Sequence, residues 1–232
     1  MLAPELLNDG SVHIWMADLN RLQARQHELE SHLDHAERKR AGQFHFATDR
    51  TRFIIGRGHL REILSSCLGV PPSRLIIAYN SNGKPFLPDY PQWHFNVSHS
   101  QHRALFAVSY GREVGIDIEL LRPEISLPLL APSALCDAER QQLNRAENTV
   151  ATFLQLWTLK EAFLKAKGLG LSFPLTQIDV SYPNGQISLQ DSKTRQWSTT
   201  EEWRAIPLNT CPDCLAAIAA LGQNWRIIRH ES

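Results

Sequence analysis

The apolar run from Val12 to Leu19 predicts an opening strand. Asn20 to Phe46 is polar, helix-forming and poor in Gly and Pro. Thr48, with Asp49 behind it, offers an N-cap, and Phe53, Ile54, Leu60, Ile63, Leu64 and Cys67 then form one helical apolar face. Gly69 and Pro71-Pro72 stop that helix. Short extended pieces follow at Leu75–Tyr79, Lys84–Leu87, His94–Ser98 and Ala104–Ser109, the second after an Asn82-Gly83 turn. A further strand after Gly111 carries Asp117 and Glu119. Residues 121–133 hold three prolines and read as a connector. Helical pattern returns at Asp137–Asn144 and at Ala151–Lys167, where Gly168 and Gly170 break it. Extended segments then follow at 177–182, 186–190, 199–206 and 215–221.

Helix followed by several strands therefore occurs twice. This predicts an α+β fold built as a pseudo-two-fold pair of similar lobes, residues 1–120 and 121–232, meeting near 115–130 with a site at their junction. Composition adds little to this and removes some functions. The 24 basic and 24 acidic residues cancel, and each half is balanced, with 13 of each sign in 1–120 and 11 of each in 121–232. A sequence-independent nucleic-acid binder would carry a basic excess. Neither a signal peptide nor a membrane span is evident, and four scattered cysteines make no disulfide framework, so a reducing cytoplasm is the expected setting; the repeated helix-then-strands order predicts that one chain works as a monomer.

The chemistry lies in two short segments. In Val114-Gly115-Ile116-Asp117-Ile118-Glu119, two carboxylates at i and i+2 project from one face of a strand. In Trp157-Thr158-Leu159-Lys160-Glu161-Ala162-Phe163-Leu164-Lys165, Glu161 and Lys165 lie one turn apart on a helix. That helix is apolar almost all round and so largely buried, and acids near buried surface are usually paired or bound to metal. Gly115 allows close approach of another backbone. Three acids and a lysine suit a hard divalent ion, Mg²⁺ with Mn²⁺ as the alternative, holding a phosphate. Taken singly, each piece has a plainer reading, as an edge-strand alternation or a surface ion pair.

Residues 38–61 hold Arg38, Lys39, Arg40, Arg50, Arg52, Arg57 and Arg61 against one acid. Some of these decorate a solvated face, and together they offer a phosphate-binding patch. Lys84 sits on a tight turn that presents both an amide and an ammonium. Ser98 and His99 are neighbours on a strand and point to opposite faces, so they make no catalytic couple. His94, His99 and His102 match no zinc spacing, and Cys211-Pro212-Asp213-Cys214 is a lone C-x-x-C, read as a turn before a strand.

Together these segments resemble the two-lobed, Sfp-type 4′-phosphopantetheinyl transferases, whose signature pairs (V/I)-G-(I/V)-D-x-E with (F/W)-(S/T/C)-x-K-E-(S/A)-x-x-K. The likeness extends to Gly83-Lys84-Pro85, Phe95–Ser100 and Gly168–Ser172, and spans roughly residues 10–222. It implies transfer of the phosphopantetheine arm of coenzyme A to a serine of an acyl or peptidyl carrier protein, with release of 3′,5′-ADP. Asp117, Glu119 and Glu161 would then hold Mg²⁺. Arg40, Arg52, Lys84, Ser98 and His99, with Gly83 and Pro85 beside Lys84, would bind coenzyme A. Lys165 would contact the phosphates near the reacting bond, and Glu161 would take the serine proton directly or through a metal-bound water. The carrier protein is expected beside Phe163–Ser172, with Phe163, Leu169, Leu171 and Phe173 as apolar anchors and Lys165 and Lys167 at the rim; the plainer reading of these apolar residues, and of Phe163 above all, is core. A coenzyme A-binding module without transfer activity would not need the three acids, and a metal-dependent phosphodiesterase would not need the carrier surface.

Overall fold

The computed structural model describes residues 10–122, 124–170, 173–181, 186–190, 194 and 196–230. Its strands are β1 (Val12–Asp18), β2 (Ala78–Tyr79), β3 (Pro85–Phe86), β4 (Trp93–Ser100), β5 (Arg103–Tyr110), β6 (Val114–Leu120), β7 (Ile178–Ser181), β8 (Gln186–Gln190), β9 (Trp197–Leu208), β10 (Cys214–Leu221) and β11 (Ile227–His230). Its α-helices are α1 (Gln26–Ser31), α2 (His35–Ala41), α3 (Ala47–Leu68), α4 (Leu127–Ala134), α5 (Asp137–Asn144) and α6 (Thr149–Lys167). The fold is α+β, with helices preceding strands twice along the chain.

Two sheets form, in the orders β11-β1-β5-β4 and β6-β10-β9-β8-β7, beside the small β2-β3 hairpin. Period-two alternation gives each sheet two apolar faces. Trp15, Ala17, Phe106 and Val108 of the first sheet pack against Leu60, Ile63 and Leu64 of α3. Its other face, with Ile14, Leu105 and Ala107, packs on Ile116, Ile118, Ala216 and Ile218 of the second sheet. The far side of the second sheet, through Ala217, Ala219 and Trp203, buries Leu159, Ala162 and Phe163 of α6. The order of layers is thus α3, sheet, sheet, α6. Because Ile116 and Ile118 face the first sheet, Asp117 and Glu119 must face α6.

Strand pairing crosses the expected boundary at residue 120. β6, expected to close the first lobe, pairs antiparallel with β10, with Asp117 opposite Ala217. β11 returns to the first sheet and pairs parallel with β1, with Val12 opposite Ile227. Local hydrophobic pattern specifies strands but not their partners, so the division into 1–120 and 121–232 does not follow the hydrogen bonding. The connector 121–133 also differs, since α4 occupies its end. Pro128 lies in the first turn of α4, where no amide donor is required. At α3 the N-cap is Phe46 with no side-chain bond, not Thr48. Gly69 (φ 70°) and Gly168 (φ 66°) do end α3 and α6 in the left-handed conformation, as expected.

Arg61 has no solvent exposure. It donates to Glu37 Oε2 (2.7 Å), Asp34 Oδ2 (2.8 Å) and the carbonyls of Pro72 (2.8 Å) and Leu75 (2.9 Å). It therefore ties α3 to α2 and to the loop after α3, and belongs to the scaffold, not to the phosphate-binding patch suggested by the basic run. Arg61→Met should cost about 3–5 kcal/mol in urea unfolding, because Glu37 is left as a buried charge without its main partner. A loss under about 1 kcal/mol would show that the pair is solvated.

Candidate active site

The site begins with a close approach of two backbones. A Cβ built on Gly115 would overlap the Ala162 carbonyl oxygen and the Ala166 backbone nitrogen of α6. Only glycine lets β6 lie this near the helix, and the contact brings Asp117 and Glu119 under Glu161 and Lys165. α6 itself is started by Asn148, whose side chain accepts from the Ala151 amide at 3.0 Å. It is anchored by Lys160, fully buried, which bonds the carbonyls of Ala134 (2.8 Å) and Leu175 (3.0 Å) and pairs with Glu139.

β4 and β6 are the neighbouring edges of the two sheets, and side chains bridge them where no ladder runs. Asn96 Oδ1 accepts from the Ile116 amide at 2.9 Å. Ser98 Oγ donates to Asp117 Oδ1 at 2.8 Å. Ser100 Oγ donates to Glu119 Oε2 at 2.8 Å and accepts from the Leu120 amide at 3.2 Å. Residues 96, 98 and 100 alternate onto one side of β4, so a single strand face aims both acids of β6.

Lys165 Nζ lies 2.6 Å from Asp117 Oδ1 and 2.9 Å from Ser98 Oγ. It is the ammonium at a cluster of three carboxylates. Asp117 (3 % exposed) keeps Oδ2 buried without a partner, as Glu161 (6 % exposed) does Oε1. Burial first, and then the neighbouring Asp117 charge, push the Glu161 carboxyl up to about 7. Burial likewise raises Glu119, with Ser100 opposing it. Oxygen donors only, an excess of acid over base and two open carboxylate oxygens fit a hard divalent cation. The three acids are not gathered as tightly as a closed metal cage. Among the described residues, the groups of three ligand atoms within 4.8 Å of one another are Cys211/Asp213/Cys214, Glu28/His32/Glu62 and Cys136/Glu139/Asp179.

Two cavities flank this cluster. One, of about 280 Å³, is lined by Asn82, Gly83, Lys84 and Pro85 on one wall and by Glu161, Leu164, Lys165 and Gly168 on the other. The second, of about 250 Å³, is lined by Arg40, Arg52, Phe53, Arg57, Tyr79 and His99. Both include Gly83, Pro85, Asn96 and Val97, so they form one cleft, with arginines at one end and Glu161 between Lys84 and Lys165 at the other; Asp117 and Glu119 lie behind Lys165 and line neither cavity. At the cationic end the Arg40 guanidinium lies 5.3 Å from the Phe53 ring centre. Arg57 donates to the Tyr79 hydroxyl at 3.0 Å. His99 is exposed. Surrounding protein, and then the charges of Lys165 and Arg52, hold its imidazole below its ordinary value.

Of the residues expected at the site, Arg40, Arg52, Gly83, Lys84, Pro85 and His99 line the cleft, as does Glu161 with Lys165. Ser98 does not. It is buried, and its hydroxyl is bonded to Asp117 and Lys165 beside the acid cluster. The expected docking residues differ in exposure. Phe163 is fully buried, and Leu169 and Phe173 pack against the same core, while Leu171 and Ser172 lie outside the described residues. Cys211 and Cys214 face each other across the turn before β10, with Cα atoms 5.5 Å apart. Sequence reasoning gave no role to Asn96, Ser100, Phe53 or Tyr79. Asn96, Ser98 and Ser100 were legible as a group: polar residues alternating along a buried strand require partners.

Residues 113–211 match the model of the 4′-phosphopantetheinyl transferase superfamily, and residues 20–110 match that of the 4′-phosphopantetheinyl transferase N-terminal region. The 4′-phosphopantetheinyl transferase HetI of Nostoc sp. is 37% identical over 226 residues, covering 95% of this chain and 92% of HetI. The chain belongs to the 4′-phosphopantetheinyl transferase superfamily. Sfp of Bacillus subtilis, also a 4′-phosphopantetheinyl transferase, is 32% identical over 157 residues, covering 66% of this chain and 69% of Sfp. The human L-aminoadipate-semialdehyde dehydrogenase-phosphopantetheinyl transferase is 31% identical over 183 residues, 72% of this chain and 59% of the human one. The acid cluster of this transferase falls within the region matched at 113–211, and the cationic wall from Arg40 to His99 within that matched at 20–110. No helix among the described residues is long and apolar enough to cross a membrane.

Proposed function

We propose that this transferase moves the phosphopantetheine arm of coenzyme A to a serine of an acyl or peptidyl carrier protein and releases 3′,5′-ADP. The observation that carries the reading is the single cleft running from Arg40, Arg52, Arg57 and His99 to Glu161 and Lys165. A polyphosphate ligand suits such a gradient. Its nucleotide phosphates meet guanidinium groups able to bind two oxygens at once, and its reacting end meets Glu161 with Lys84 and Lys165.

Phosphoryl transfer of this kind needs positioning and charge stabilisation more than covalent help. Asp117, Glu119 and Glu161 are the residues that would hold Mg²⁺, which when bound neutralises charge on the pyrophosphate. Glu161, with an open buried oxygen, is the carboxylate available to accept the serine proton. Lys165 stabilises charge developing on the pyrophosphate. Ser98 and Ser100 hold Asp117 and Glu119 in orientation.

Arg52→Ala should raise the KM for coenzyme A by roughly tenfold or more, the loss of one charge-assisted hydrogen bond, and Lys84→Ala should raise it at least as far, because it also removes the bond to the Ala166 carbonyl. Dephospho-coenzyme A, lacking the 3′-phosphate, should bind wild type more weakly and lose less on His99→Ala. Equal sensitivity of both ligands to His99→Ala would move the 3′-phosphate away from His99.

A further inference from the structure

The tip of the β2–β3 hairpin crosses the cleft and touches α6. Asn82 Nδ2 donates to the Gly168 carbonyl at 2.8 Å, and Lys84 Nζ donates to the Ala166 carbonyl. Both acceptors lie at the C-terminal end of α6, where carbonyls lack intrahelical donors. The approach is close. A Cβ on Gly168 would stand 3.1 Å from Asn80 Nδ2 and 3.1 Å from Lys84 Cδ, and one on Gly170 would stand 3.6 Å from Asn82 Cβ. The tip is also braced from within. Asn80 Oδ1 accepts from the amides of Asn82 and Lys84, both at 2.9 Å, and Gly83 turns the chain at φ 84°.

We infer that Asn82 is a positioning residue that clasps the hairpin to the C-terminal end of α6. It thereby fixes the separation between the turn at Gly83 and Lys84 and the side chains of Glu161 and Lys165, which form opposite walls of one cavity. Asn82 lines the same cavity, but its amide is bonded to the Gly168 carbonyl, so it acts through the spacing of the two walls. The inference rests on the coenzyme A reading above. A ligand that spans both walls, as coenzyme A would, depends on that spacing. A ligand held at the cationic end alone, as 3′,5′-ADP would be, does not.

Asn82 is exposed in a turn, so its replacement spares the core. Asn82→Ala and Asn82→Leu both remove the donor, and the second keeps the bulk. Calorimetric titration of wild type and both variants with coenzyme A and with 3′,5′-ADP, with Mg²⁺ and without carrier protein, tests the clasp. The expected result is coenzyme A weakened about fivefold, in the range for one neutral hydrogen bond, with 3′,5′-ADP changed less than about twofold and stoichiometry unaltered. A merely structural role would weaken both ligands together or lower the stoichiometry, and either result overturns the inference, as would two unchanged affinities. A wild type that binds neither ligand would overturn the coenzyme A reading itself and this inference with it.

Discussion

Glu161→Gln should lower kcat by about a thousandfold, within the range for loss of a general base, while the KM for coenzyme A changes only a few-fold. The nucleotide end of the cleft does not include Glu161, so ground-state binding of the nucleotide survives. The same variant should move stability in the opposite direction. Folding raises the Glu161 carboxyl from the ordinary 4.5 to about 7. The folded state therefore binds that proton more tightly than the unfolded chain, and metal-free stability is full below about 4.5 and falls as pH rises toward 7. A shift of this size corresponds to about 3 kcal/mol. At pH 8 without metal, Glu161→Gln should melt higher than wild type, and below pH 4.5 the difference should disappear. Mg²⁺ added at pH 8 should stabilise wild type far more than the variant. A variant that melts lower than wild type at pH 8 would mean that Glu161 is held by a partner and not strained by its neighbours.

Gly115→Ala should damage fold and activity together. The atoms in the way belong to the backbone of α6 at Ala162 and Ala166, so no side chain can swing aside. β6 would have to retreat from the helix, at a cost of about 3 kcal/mol or more for an overpacked contact of this kind. Asp117, two residues on, would retreat with it and open the gap to Glu161. Urea unfolding measures the first effect and turnover the second. An alanine variant with wild-type midpoint and rate would show that β6 and α6 are not held at this distance.

The sequence is most legible where function rests on local spacing. Asp117-Ile118-Glu119 had to present both acids on one strand face, and Glu161 and Lys165 had to share a helix face. Gly115 was readable as a point of close approach, and Gly69, Gly83 and Gly168 each mark a positive-φ turn. Partner choice was not legible. Nothing in Val114–Leu120 distinguishes a strand that ends one sheet from one that begins the next, and Ile227–His230 is too short to announce itself. Charge was ambiguous for a similar reason. Arg57 and Arg61 stand four residues apart in one basic run, yet one lines the cleft and the other is sealed in the scaffold. Ser98 shows what a motif leaves out, because its bonds to Asp117 and Lys165 depend on how β4, β6 and α6 meet in space.

The central claim is that this cleft joins coenzyme A to a carrier protein. Intact-mass measurement of an apo acyl or peptidyl carrier protein, after incubation with the enzyme, coenzyme A and Mg²⁺, tests it most directly, with 3′,5′-ADP followed in the same sample. The account predicts a gain of one phosphopantetheine arm on the carrier serine and an equal amount of 3′,5′-ADP, both abolished by a serine-to-alanine carrier or by chelation of the metal. Coenzyme A bound but unchanged, or cleaved with no gain in carrier mass, would contradict it.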